Sequence, residues 1–121
     1  MRLTLALAAL LIAAPTQAHD IYTGIYGKGG QLCCGGNDCA VTTYRERGSE
    51  YQFLTRKNEW VTIPADRITF LPIPGDQPSS DSHYAHLCYR DLMPEDTLGP
   101  SSDHVIGDIF FYCAFIPPGS I

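Results

Sequence analysis

The sequence predicts a mainly β domain: one small antiparallel sheet of five to six strands, curled into a partly open barrel, with long loops and disulfide stabilisation. Three observations lead there. Between residues 40 and 116 the chain runs in short segments rich in β-branched and aromatic residues, several of them alternating with a period of two. Strings of Gly, Pro, Asn, Asp and Ser punctuate these segments. No segment keeps a helical period over three turns, and only Asp91–Asp96 and the neighbourhood of Gly35–Asp38 have room for a short helix.

Residues 1–18 read as a secretory signal peptide. Arg2 gives the positive start, Leu3–Ala14 an uncharged apolar run, Pro15 a break, and Thr16-Gln17-Ala18 the small residues of a cleavage site. The apolar run falls short of the roughly 20 residues that a spanning helix needs, so removal is expected and no membrane span after it. Cleavage after Ala18 leaves 121 − 18 = 103 residues, 19–121, the size of one small domain. Losing Arg2 leaves 7 basic against 13 acidic residues, a net charge of −6. A surface of that sign repels nucleic acid and anionic lipid, so no nucleic-acid partner is expected.

The mature chain opens with an irregular, Gly-rich segment from His19 to Gly36. Gly24–Gly30 is no phosphate cradle, because no strand precedes it and no Lys-Ser or Lys-Thr follows at a helix start. Ala40–Glu46 and Tyr51–Arg56 form a hairpin around Arg47-Gly48-Ser49-Glu50. Lys57-Asn58-Glu59 turns the chain into Trp60–Ile63, and Pro64-Ala65-Asp66 into Arg67–Leu71, giving a meander of short connections. Pro72–Ser82 reads as a surface loop, Tyr84–Arg90 as a strand, and Asp91–Asp103 as a second polar loop. Ile109–Ile116 is continuously apolar, as a central strand covered on both faces would be. The expected core is Val41, Phe53, Trp60, Ile63, Ile68, Phe70, Leu87, Phe111 and Phe115.

Five cysteines, Cys33, Cys34, Cys39, Cys88 and Cys113, fall in the mature chain. In a small exported domain such a set forms a disulfide framework, and an odd number leaves one thiol over. Five choices of the odd cysteine and three pairings of the rest give fifteen arrangements, 5 × 3 = 15, all open at this level. The expectation is that two of Cys33, Cys34 and Cys39 bond Cys88 and Cys113, tying the Gly-rich segment to the late strands. No C-x-x-C supports a redox or zinc site. HDIYTGIYGKGGQLCCGGNDC, HLCYR and YCAFIPPG together resemble a group of small exported, cysteine-rich alphaproteobacterial proteins. The CC-x-G-x-DC string, here Cys33, Cys34, Gly36, Asp38 and Cys39, is the most specific part. The resemblance implies export and a shared cysteine framework, and brings no catalytic residue.

Cleavage would make His19 the N-terminus, where a free amine and an imidazole can chelate copper as the copper brace of exported copper proteins does. His83 and His86 are the candidate partners. If Tyr84–Arg90 is a strand, His86 and Cys88 share a face and His83 points the other way. His104, in a polar stretch, is assigned nothing. The carboxylates Asp76, Asp81, Asp91, Glu95, Asp96 and Asp103 crowd the long loops and read as solvated charges. Tyr22 and Tyr26, in the Gly-rich segment, are expected to be partly exposed and to serve a binding surface. No catalytic or cofactor-binding residue is marked. These readings describe a periplasmic or secreted binding or structural module with an envelope or extracellular partner. The alternative is a periplasmic copper-binding protein using His19 with His83 or His86.

Overall fold

The computed structural model describes residues 21–33, 38–78 and 82–119. The expected signal segment, His19 and Cys34 lie outside the described residues. The strands are β1 (Cys39–Arg47), β2 (Glu50–Leu54), β3 (Trp60–Ile63), β4 (Ile68–Thr69), β5 (Tyr84–Asp91), β6 (Val105–Ile106) and β7 (Ile109–Phe115). Three short 3-10 turns, Ala65–Arg67, Pro94–Thr97 and Gly99–His104, are the helical elements among the described residues.

One sheet runs in the order β3-β2-β1-β5-β7-β4, with β6 also on β7. It curls, so that β3 approaches β6 and Gly107 of the β6–β7 turn lies against Val61. The expected half-barrel is therefore present. The β1–β2 hairpin closes at Arg47↔Glu50 with Gly48 at φ 61°, leaving the two-residue loop Gly48-Ser49. A left-handed φ at the first of two loop residues matches the twist of the strands it joins.

β1 makes the corner. Residues 39–43 pair with β5, while 44–47 pair with β2. The meander stops at β3, and this corrects the expected path. β4 crosses to the far edge and pairs in parallel with β7, Ile68 opposite Ala114 and Thr69 opposite Phe115. Two short strands thus share that edge of β7: β4 beside residues 114–115 and β6 beside 109–110. β6 sits in a stretch too short to show a period, so sequence patterning did not reveal it.

Two apolar clusters form, one on each face. Inside the curl lie Tyr44, Phe53, Ile63, Ile68, Leu87, Phe111 and Ile116, each almost fully buried. Outside it, Tyr22, Ile73 and Phe115 pack with Cys33, Cys39, Cys88 and Cys113. A bulge on β7 serves both clusters. Cys88 pairs with Cys113 and Tyr89 with Phe111, so Tyr112 is the extra residue. The extra residue lets Cys113 face the outer cluster and Phe111 the inner one. β5 is buried from Tyr84 to Tyr89 for the same reason: both its faces are covered.

Three of the expected core residues belong elsewhere. Val41 is 53 % exposed, because the outer cover of the sheet ends before it. Trp60 is half-buried on the convex face beneath the Arg45 guanidinium, 4.2 Å from its ring centre. Phe70 lies just past the end of β4 and packs only partly against the inner cluster.

Candidate functional site

The cysteines settle first. Cys33 bonds Cys113 and Cys39 bonds Cys88, over sequence separations of 80 and 49 residues. The Cys39–Cys88 bridge joins directly opposed residues of β1 and β5, and Cys33 reaches Cys113 from outside the strands. Cys39 lies opposite Cys88 on β5, which lies opposite Cys113 on β7, so three half-cystines form a row across adjacent strands on one face. The two bridges use four of the five cysteines; the fifth, Cys34, lies outside the described residues. The first bridge bolts the segment 21–33 over the central strands. A side chain at Gly27 would place its Cβ 2.7 Å from Cys113 Sγ, so only glycine allows that approach.

Beside this row lies a buried polar chain. The Tyr22 hydroxyl meets His86 Nδ1 at 2.7 Å, and His86 Nε2 meets Asp76 Oδ2 at 2.9 Å. The Tyr84 hydroxyl donates to Asp76 Oδ1 at 2.8 Å. The side chains of His86 and Asp76 are 0 % and 5 % exposed. A carboxylate only accepts, so His86 carries a proton on Nε2, and its Nδ1 pairs with the Tyr22 hydroxyl. Every one of these groups is then satisfied. Burial first, then the Asp76 hydrogen bond, holds the Tyr84 phenol well above its ordinary pKa, so it remains a donor.

Asp76 reaches this place through the sequence Ile73-Pro74-Gly75-Asp76. The Asp76 N–H bonds Ile73 O at 3.0 Å and Gly75 has φ 82°. Pro then Gly at the two central positions, with left-handed Gly, is a type II turn. Asp76 is therefore no solvated loop charge, and neither is Asp96. The Asp96 carboxylate takes a two-pronged contact from Arg90, at 2.6 and 2.7 Å, and the Met93 N–H at 2.7 Å. The Arg90 hydrogen bonds hold its carboxyl below the usual range. Tyr22 also departs from expectation: it is only 7 % exposed, with its hydroxyl on His86. Tyr26, by contrast, is 62 % exposed.

An aspartate orienting a histidine against a hydroxyl is the order of an acid–base relay. Here the last hydroxyl is a phenol inside the protein, and the histidine between is sealed. The chain acts as a clamp joining three separate parts: the segment 21–33, the Pro-Gly turn and β5. His83 stands apart, just before β5 at a left-handed φ of 70°. Its ring lies against Tyr44 of the inner cluster and its Nδ1 meets Ser82 Oγ, while His86 belongs to the outer side. A copper ion on His86 would have to displace Tyr22 or Asp76. Among the described residues no three His, Cys, Asp or Glu side chains converge to hold a metal.

The described residues also form concave surfaces, two of which differ sharply in character. A charged cleft of about 310 Å³ separates the β2–β3 turn from the end of β5. Its cationic side chains are answered within the protein. Lys57 pairs with Asp91 at 3.4 Å, and Arg56 lies over the Tyr89 ring while its N–H bonds the Tyr89 hydroxyl. The second is an open groove of about 460 Å³ with Tyr26, Gly27 and Lys28 on one side and Ile68–Leu71 on the other. Most of its exposed lining is apolar, and Leu71 is 67 % exposed.

No family model matches the chain, no curated protein matches it in sequence, and no solved structure matches its fold.

Proposed function

We propose that this protein is an exported binding or structural module of the periplasm or cell exterior, preformed by its cross-links. The observation that carries the reading is the convergence of both cystines on the central β5–β7 pair: Cys39–Cys88 ties β1 to β5, and Cys33–Cys113 fixes the segment 21–33 over the sheet. Paired cystines in so small a domain belong to oxidising compartments. A rigid framework lowers the entropy a surface loses on binding. The buried histidine, aspartate and tyrosines support the same reading, because their hydrogen bonds serve the fold.

The test is mass spectrometry of the protein recovered from the cell envelope and medium. The expected result is an N-terminus at His19 with Cys33–Cys113 and Cys39–Cys88 intact. Recovery of the full-length, fully reduced chain from cytosol would overturn the proposal.

A further inference from the structure

The groove beside β4 has a feature that neither the clamp nor the cystines use: unpaired main chain on both of its walls. On β4, Ile116 N–H bonds Thr69 O, so Thr69 faces β7. Alternation then turns the C=O of Ile68 and both groups of Phe70 away from β7. On the other wall, Gly27 N–H bonds Gln31 O and Cys33 N–H bonds Ile25 O around the Tyr26↔Leu32 bridge, so Tyr26 presents its N–H and C=O outward. Among the described residues, the main-chain groups of Tyr26, Phe70 and Leu71 have no hydrogen-bond partner. Edge strands of soluble proteins are usually blunted by charge, proline or a bulge. Here the edge is flanked by exposed Tyr26 and Leu71, and Pro72 closes only its far end.

We infer that this groove receives an extended peptide segment of a partner protein, which adds a strand to the β4 edge and sets an acidic side chain against Lys28. The inference rests on the binding-module reading and names its partner class. Main-chain pairing supplies the register, alternate apolar side chains settle on Tyr26 and Leu71, and the groove's single charge selects the acid. Lys28 is exposed and has no ion-pair partner among the described residues. Charge also argues against a second copy as occupant. Pairing two β4 edges would bring two Lys28 side chains to one interface and join two chains that are each net negative. The wall that carries Tyr26 is held in place by the Cys33–Cys113 bridge through Gly27, so the groove exists before the peptide arrives.

The experiment is a titration of the oxidised, ¹⁵N-labelled protein with a capped peptide of alternating valine and threonine carrying a central glutamate. Controls are the same peptide with lysine in that position and two peptides N-methylated on alternate residues, one in each phase. Expected are saturable shifts at the amides of Tyr26, Lys28, Phe70 and Leu71. The glutamate peptide should bind about two- to five-fold tighter than the lysine peptide, the worth of one exposed ion pair. Lys28→Glu should reverse that preference, and N-methylation in one phase should abolish binding. Absent or scattered shifts, or equal binding of the parent and both methylated peptides, would overturn the inference. So would a dimer in sedimentation that Leu71→Asp dissociates, which would give the edge to a second copy. Because the titration uses purified oxidised protein, its failure leaves the export reading standing, and misplaced export leaves the titration valid.

Discussion

Asp76 is the residue on which the outer half of the molecule depends. Its two carboxylate oxygens take one hydrogen bond each from buried donors, His86 Nε2 and the Tyr84 hydroxyl. Asp76→Ala would leave both donors unpaired in a largely buried site, and each such orphan costs about 1–3 kcal/mol. A destabilisation of about 2–5 kcal/mol is expected in urea unfolding, whereas Tyr22→Phe should cost about 1 kcal/mol, since it removes only one partner of His86. Equal costs for the two variants would show that the clamp does not work as a chain. Asp96 gives a pH signature. Its folded carboxyl is held below the ordinary value, so the unfolded chain takes up the proton first as pH falls. The contribution is complete above the unfolded value of about 3.9 and disappears as pH drops through the folded one. Wild type should therefore exceed Asp96→Asn in melting temperature at pH 7, with the gap narrowing at pH 3; a gap independent of pH would refute the pairing with Arg90.

At the scale of elements, the β7 bulge and the cystine row form one device. Without Tyr112 as the extra residue, Phe111 and Cys113 would share a face, and one of the two clusters would lose its anchor. The bridges close loops of 80 and 49 residues, worth about 4.5 and 4 kcal/mol by the chain-entropy model. Reduction of both should bring the melting temperature down steeply. The paired substitution Cys33→Ala with Cys113→Ala should act more locally: amides of residues 21–33 should exchange faster with deuterium while β1–β3 keep their protection. Uniform loss of protection would mean that this bridge holds the whole fold and not the strap alone.

Over the whole molecule, the inner and outer clusters share β5 and β7, so neither can open without disturbing the other. A single cooperative transition is expected in the oxidised protein, with Trp60 fluorescence, on the β3 side, and the near-ultraviolet tyrosine signal changing together in denaturant. Two separated transitions would show the clusters to be independent. The near-closure of β3 on β6 leaves the β4 edge as the accessible side of the curl, which is why the peptide inference concerns that edge.

Alternation and turn chemistry were enough to determine the β class, the positions of the long strands, the β1–β2 hairpin and the disulfide framework in outline. These properties are local, or follow from counting cysteines. Partner choice among strands lay beyond them. β4 is two residues long, and no period in two residues tells which edge it will join. The same limit hid Asp76 and Tyr22: a Pro-Gly turn and a Gly-rich segment look exposed in sequence, and burial came only when both folded over one face of β5. Tertiary structure decided the cystine pairing as well. Cys39 and Cys113 became its terms only once register set them on either side of Cys88, and register is a relation between strands that no single strand contains.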